Sequence, residues 1–332
     1  MFIVNSYFLA ILFCFITMLC WGSWANTQKL AGKNWRYELF YWDYVIGILL
    51  FSVISAFTLG SMGESGRPFI EDLKQTTTAN LGSAFLGGIV FNAANILLSA
   101  AIAIAGMAVA FPVGIGLALV LGVFVNYMAS AKGDPVLLFT GVLSVAIAII
   151  INAVAFSKKT KSAGKVSQKG IWLSLAAGLL MSVFYRFIAA SMDLDNFESP
   201  AAGKMTPYTA VFIFSLGIFV SNFLFNTILM RKPIEGQPVS YKTYFKGKSI
   251  HFVGILGGLI WGLGNSFNLI AAGKAGAAIS YGLGQGATLI AALWGVFIWK
   301  EFKNAPPGTS KLLLFMFLFF VLGISLIIYA GL

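Results

Sequence analysis

Long apolar runs recur along this chain and are separated by short polar segments. A helix that crosses the roughly 30 Å hydrocarbon core of a bilayer needs about 20 mostly apolar residues. The chain offers such a run ten times. We therefore predict an all-α integral membrane protein with ten transmembrane helices. The predicted spans cover residues 6–26, 40–60, 81–104, 107–129, 136–156, 170–191, 208–230, 251–271, 276–299 and 312–331.

Composition supports lipid as the main solvent of the surface. Of the 332 residues, 59% are hydrophobic and 10% are charged, whereas soluble domains have roughly 25% charged residues. The net charge of +11 comes from basic residues in short loops, so we expect no nucleic-acid partner. Cys14, Cys20 and the single His251 form no metal-ligand pattern, so neither a metal nor a cofactor is expected.

Basic residues concentrate in alternate loops. Segments 29–36, 158–169 and 231–248, each in an odd-numbered loop, carry many of the 22 Lys and Arg residues. Short basic loops are retained on the cytoplasmic side. We therefore predict that both termini lie outside the cytoplasm, in a bacterial-type inner membrane.

The sequence indicates an internal repeat. GGIVFNAAN at 87–95 lies over GGLIWGLGN at 257–265, at an offset of 170 residues. The predicted units are a five-helix repeat at 1–156, a basic cytoplasmic connector at 157–169 and a second five-helix repeat at 170–332. Because five spans is an odd number, the second repeat enters the membrane from the opposite side, as in many secondary transporters.

Transporter sites of this kind lie where matching helices of the two repeats are interrupted by Gly or Pro. Here Pro112 matches Gly282, which predicts a cavity beside both segments. The alternative is that the glycines only allow close helix packing.

Few ionisable residues fall inside the predicted spans, and such residues are functional candidates. Asp43 lies in the second span with Glu38 just before it, and we predict that they couple transport to protons. Asp43 is alternatively a helix cap or a partner of Lys29 or Lys33. Arg186 is expected either to bind solute or to neutralise Asp43, although snorkelling towards water is equally compatible with its position.

Polar and aromatic residues also recur at helical spacing on single faces. Amides and aromatic rings are the groups from which sites for polar solutes are built. Interfacial anchoring is an alternative for Trp24, and interhelical hydrogen bonding for asparagines. The predicted substrate-binding residues are Trp21, Trp24, Gln28, Asn92, Asn95, Arg186, Trp261, Asn265, Asn268, Tyr281, Gln285 and Thr288.

Four segments carry a family resemblance: WGSWANTQKL at 21–30, YWDY at 41–44, GMAVAFPVGIGLALVLGVFVNY at 106–127 and residues 262–302. They resemble the drug/metabolite transporter superfamily, in its branch of plant ureide permeases and bacterial glucose, ribose and rhamnose uptake porters. The resemblance implies ten helices in two inverted halves and proton-coupled uptake of a small neutral polar solute.

The connector at 157–169 is short, whereas plant ureide permeases have a long central loop. This difference favours a monosaccharide as the solute. The alternatives are a ureide or nucleobase-like solute, or export of a metabolite or drug. No nucleophile with a matching base and no metal-ligand cluster is recognisable, so an enzyme is not expected. Substrate identity and oligomeric state do not follow from the sequence.

Overall fold

The computed structural model describes residues 1–32, 35–105, 110–160 and 167–332. Within these ranges the chain forms helices and no β-strand, apart from one isolated bridge between Met192 and Met205. The α-helices are α1 Tyr7–Ser23, α2 Ala25–Ala31, α3 Tyr37–Phe57, α4 Phe69–Gln75, α5 Thr78–Ala105, α6 Gly116–Ala129, α7 Pro135–Thr160, α8 Gln168–Ser191, α9 Pro207–Arg231, α10 Tyr241–Phe245, α11 Ile250–Ala275, α12 Ala277–Gln285, α13 Ala287–Leu293 and α14 Thr309–Tyr329.

Nine helical segments of the described chain are long and apolar enough to cross a membrane, which confirms an all-α integral membrane protein. They coincide with nine of the ten predicted spans. The tenth prediction, 107–129, coincides with a shorter apolar helix at Val113–Ala129. Residues 106–109 lie outside the described ranges.

The predicted interruption at Pro112 falls where the backbone departs from regular α-helix, whereas Gly282 lies within the helix α12. Pro112 lies in a π-helical turn at Phe111–Ile115 that leads into α6. In the second half, α12 ends at Gln285 and α13 begins at Ala287, with Gly286 between them. A second π-helical turn follows at Trp294–Ile298. Such turns are common where side chains serve function rather than packing.

Glycines bring helix backbones into direct contact at two crossings. A Cβ atom on Gly88 would collide with the Phe214 carbonyl oxygen, and one on Gly258 with the Tyr44 carbonyl oxygen. We call the contacts of Gly88 with Gly217 and of Gly47 with Gly258 the glycine crossings. They join α5 to α9 and α3 to α11. Membrane helices gain van der Waals contact when small residues permit such close approach.

The loops gather at two ends of the bundle. At one, which we call the terminal end, the Asp134 amide donates to Ala330 O at 2.6 Å and the Met1 amino group to Ser65 O at 2.5 Å. At the other, the basic end, Arg36 donates to Glu235 O at 3.0 Å. Both chain termini therefore lie at the same end of the molecule.

Candidate functional site

A cavity of about 660 Å³ enters the bundle from the basic end. This volume lies within the range of roughly 300–1,000 Å³ that is typical of small-molecule sites. Lys29, Arg36, Trp299 and Glu301 lie around its mouth, and Lys29 is 48% exposed. The described walls come mainly from α1, α2, α5, α7, α8 and the α12–α13 region.

A cluster of aromatic rings closes the deep end of the cavity. We call Phe91, Phe184, Phe214 and Trp261 the aromatic plug; the ring centroids of Phe91 and Trp261 lie 4.5 Å apart, and those of Phe91 and Phe184 lie 5.1 Å apart. All four rings are buried. The plug separates the cavity from the terminal end, so the described conformation is open towards the basic end.

Trp21 lies in a slot between two glycines. Its ring stacks on Trp261 with the centroids 5.8 Å apart and the planes 8° from parallel. A Cβ atom on Gly284 would lie 2.7 Å from Trp21 Cζ3, and one on Gly264 would lie 2.9 Å from Trp21 Cδ1. Only glycine at both positions leaves room for the indole, which provides a flat apolar wall at the cavity.

Amide groups face the cavity beside the aromatic rings. Asn95 Nδ2 donates to the Tyr41 hydroxyl at 3.2 Å. Gln285 is only 5% exposed, and its side-chain amide makes no hydrogen bond to the described part of the chain. Asn152 Oδ1, on α7, likewise has no partner among the described residues. An amide both donates and accepts hydrogen bonds, so this wall suits a solute that carries both kinds of group.

Charges at the cavity mouth are already paired. Lys29 Nζ lies 3.1 Å from Glu301 Oε1 and 4.0 Å from the centroid of the Trp299 ring. Trp299 Nε1 donates to Asn26 Oδ1 at 2.7 Å. These contacts join α2 to the segment after α13. The deeper described lining is uncharged, which favours a neutral solute.

Apart from Arg186, the predicted binding residues divide into two groups. Seven line the cavity: Trp21, Trp24, Gln28, Asn95, Trp261, Gln285 and Thr288. Asn92, Asn265, Asn268 and Tyr281 are buried outside its lining.

Three residues of the second group are held by protein partners. Asn92 accepts from the Tyr41 hydroxyl at 3.0 Å, and the Tyr281 hydroxyl contacts Ala118 O at 3.2 Å and Met181 O at 3.0 Å. Asn268 Nδ2 donates to Ser280 O at 2.8 Å. In this conformation these groups position helices, and a role in binding stays a prediction.

Arg186 lies away from the main cavity. It borders a second cavity of about 440 Å³ at the terminal end, together with Asp193, Asp195 and Lys204. The hypothesis that Arg186 neutralises Asp43 is wrong for this conformation, because the bonds to Asp43 come from residues at the basic end. A role in solute binding from the terminal side stays a prediction.

Asp43 is fully buried beside the cavity wall and accepts three hydrogen bonds. Trp35 Nε1 donates to Oδ2 at 3.2 Å, and the Tyr244 hydroxyl donates to Oδ1 at 2.6 Å. His251 Nδ1 lies 2.7 Å from the same Oδ1 atom. A Cβ atom on Gly254 would lie 2.4 Å from Asp43 Cβ, so α11 approaches closely here. Asp43 lies within α3 rather than at its cap, and Lys29 is paired with Glu301. The alternative partner Lys33 lies outside the described residues.

Glu38 has a different environment. It is fully buried, and Arg36 Nε donates to Glu38 Oε2 at 3.1 Å. Arg36 also donates to Glu235 O and Gln237 O, which ties the α9–α10 link to the start of α3. Glu38 therefore holds a fixed charge pair, and Asp43 is the stronger candidate for exchange of a proton.

The sequence profile of the ureide permease family matches residues 40–169 and 157–330. The chain belongs to the ureide permease family. Ureide permease 1 of Arabidopsis thaliana is 25% identical over 98% of this chain and 98% of its own length. Ureide permease 2 of the same plant is 24% identical with the same coverage of both chains.

Two further matches extend the comparison. Transmembrane protein 144 homolog B of Dictyostelium discoideum is 28% identical over 48% of this chain and 40% of its own length. A crystal structure at 16% identity covers 96% of this chain and 95% of that chain with a TM-score of 0.62, which supports the fold alone. The family consists of permeases, so the chain is a multi-pass membrane transporter for a small solute.

Several residues of the site were not predicted from the sequence. Asn152, Phe91 and Phe184 line the cavity, and Tyr244 and His251 bind Asp43. A signal was available for Phe91, because it occupies the same repeat position as Trp261. A lone histidine at the start of an apolar run was also a signal, since a membrane-embedded titratable group needs a partner.

Proposed function

We propose that this protein is a secondary permease for a neutral ureide, driven by protons across a bacterial-type inner membrane. The observation that carries the proposal is the cavity beside Trp21, Gln285 and Asn152, open at one end only. Ureido groups are planar, donate through N–H and accept through C=O. Amide side chains and indole faces complement those properties. The full-length match to ureide permeases supports a ureide over a sugar.

Two inverted repeats, 1–156 and 170–332, with ten spans belong to this proposal. In the glycine crossings, Gly47 and Gly217 stand 170 residues apart, as do Gly88 and Gly258. The offset of 170 residues therefore relates one crossing to the other. Gly88 and Gly217 of the first crossing correspond to Gly258 and Gly47 of the second. The same offset relates Phe91 to Trp261 in the aromatic plug. A two-fold relation between the halves accounts for all three correspondences.

Sidedness also remains part of the proposal. The basic end carries the exposed Lys242 and Lys246, and short basic loops are retained in the cytoplasm. The described cavity then faces the cytoplasm, and both termini lie outside it. Uptake requires a second conformation in which the aromatic plug opens towards the terminal end.

A monosaccharide is a second candidate, favoured by the nearly parallel Trp21 and Trp261 rings and by the short connector at 157–169. Aromatic faces stack well on sugar rings. The indoles alone do not distinguish the two solutes. The unpaired side-chain groups of Gln285 and Asn152 can form hydrogen bonds with hydroxyl groups as well as with ureido groups, and an uptake assay distinguishes the two solutes.

Uptake by purified protein in liposomes tests the proposal. We expect saturable uptake of radiolabelled allantoin, a cyclic ureide, under an inward proton gradient, and competition by unlabelled allantoin but not by glucose. Protein-free liposomes provide the control. Competition by glucose together with uptake of labelled glucose would assign the site to sugars. Uptake of neither solute above the control would refute both candidates.

A further inference from the structure

The Asp43 carboxylate joins three segments that approach the basic end separately. Trp35 belongs to the link before α3, Tyr244 to the short helix α10, and His251 to the first turn of α11. The aromatic rings also contact one another. The ring of His251 lies edge-on to Trp35 with the centroids 5.2 Å apart, and 4.7 Å from that of Tyr244. The carboxylate is the only group on which all three converge among the described residues.

His251 is partly exposed at the basic end. Its side chain is 22% exposed, whereas that of Asp43 is 1% exposed. A proton from the water at the basic end can therefore reach the imidazole without opening the bundle. Asp43 and His251 form an ion pair whenever the imidazole is charged, with 2.7 Å between Nδ1 and Oδ1.

Among the described residues, the other charged groups near the cluster are either paired with one another or make no ion pair. On α3, Glu38 is paired with Arg36. On α2, Lys29 is paired with Glu301. Lys33 lies outside the described residues. The remaining basic residues of α9, α10 and the α10–α11 link make no ion pair within the described ranges; they are Arg231, Lys232, Lys242, Lys246 and Lys248.

Tyr244 donates to Asp43 but does not exchange its proton in the neutral range. Burial raises the pKa of the Tyr244 phenol, and the hydrogen bond to Asp43 and the charge of Asp43 raise that pKa further. The phenol therefore remains a donor at any pH at which the transporter works. Asp43 and His251 are left as the groups that change charge.

We propose that Asp43 and His251 together bind the driving proton and that Trp35 transmits the protonation state of this pair to the solute cavity. This inference rests on the proposed proton-driven transport. We assign the transmitting role to Trp35 because the same indole lines the cavity and donates to Asp43 Oδ2. No other described residue belongs to both the cavity lining and the set of Asp43 donors.

The protonation step involves one proton and breaks no covalent bond other than O–H or N–H. Neutral His251 donates from Nδ1 to Asp43, and Nε2 accepts the incoming proton. The charge of the pair then changes from −1 to 0. The shared proton lies on Nδ1 or on Oδ1, and the pair titrates as a unit. When that proton lies on Oδ1, the carboxyl group is neutral and Oδ2 loses negative charge, which weakens its charge-assisted bond from Trp35 and releases this part of the cavity wall.

Two transport assays separate proton coupling from solute binding. One measures accumulation of radiolabelled allantoin under an inward pH gradient, and the other measures exchange of preloaded allantoin at equal pH. We expect His251→Gln to retain exchange, because the glutamine amide still donates to Asp43, and to lose accumulation above equilibrium. Asp43→Asn should behave in the same way. Tyr244→Phe is the matched control, because it removes a donor from the same oxygen without removing a titrating group, and should still accumulate solute.

A measurement without solute tests the proton site independently. Hydrogen–deuterium exchange of segment 241–253, corrected for intrinsic rates, should depend on pH in the unmodified protein and lose this dependence in His251→Gln. Accumulation of allantoin by His251→Gln equal to that of the unmodified protein would overturn the inference. It would also be overturned if hydrogen–deuterium exchange of this segment in the unmodified protein did not change with pH. If protection responds to pH but no allantoin moves, the proton site stands and the proposed function fails.

Discussion

At the scale of single residues, Gln285 offers the clearest test of solute recognition. Its amide faces the cavity and makes no bond to the described part of the chain. A bound ureide that pairs with it would lose that partner in Gln285→Ala. We expect binding to weaken by about 1–3 kcal/mol, or roughly 5- to 150-fold in the dissociation constant.

Equilibrium binding of radiolabelled allantoin to purified protein measures this change. Gln168→Ala is the control, because Gln168 is an exposed residue at the start of α8. Equal affinity of the two variants would show that Gln285 does not contact the solute.

Helical spacing identified cavity-lining positions where the signal was local. Trp21, Trp24 and Gln28 share one face of a helical run, and a helical face can be identified from spacing alone. All three line the cavity. The donors to Asp43 carry no such signal, because Tyr244 and His251 are separated from it by 201 and 208 residues. Their approach depends on how α3 and α11 pack.

At the scale of helices, the glycine crossings should control stability. Gly88→Ala places a methyl group against the Phe214 carbonyl, so α5 and α9 must separate. Gly82→Ala, on the same helix, meets nothing within 4 Å. Replacing an unhindered helical glycine by alanine stabilises the folded protein by roughly 0.5–1 kcal/mol, whereas overpacking lowers its stability by about 1–3 kcal/mol.

Thermal unfolding of the two variants in detergent distinguishes these effects. We expect a lower midpoint for Gly88→Ala and an equal or higher one for Gly82→Ala. Equal midpoints for both variants would mean that the α5–α9 contact relaxes freely.

Helix positions were predictable from hydropathy because membrane spans need length and apolar content. The predicted span 107–129 matches a shorter helix, and a π-helical turn at Phe111–Ile115 precedes α6. The five-residue helix α10 was not predicted, since Tyr241–Phe245 is too short to show a helical period. Yet it supplies Tyr244 to Asp43.

At the scale of the whole molecule, the two ends differ in how the halves are joined. At the basic end the cavity separates α2 and the segment after α13 from α5 and α7. At the terminal end Lys132, in the α6–α7 link, donates to Gly273 O on α11 at 2.9 Å. The sequence could not predict this difference, because an alternating transporter uses one sequence for both conformations.

The Lys132 bond should therefore favour the conformation that is open at the basic end. A hydrogen bond to a charged group contributes about 1.5–3 kcal/mol, and 1.4 kcal/mol is a factor of ten in an equilibrium. Lys132→Ala should shift the population towards the conformation open at the terminal end. Maleimide labelling of Ala25→Cys at the cavity, with the buried Cys14 and Cys20 replaced by alanine, reports this population. We expect slower labelling after Lys132→Ala and no change after Lys74→Ala, which alters an exposed lysine at the same end. An unchanged rate in Lys132→Ala would show that this bond does not distinguish the two conformations.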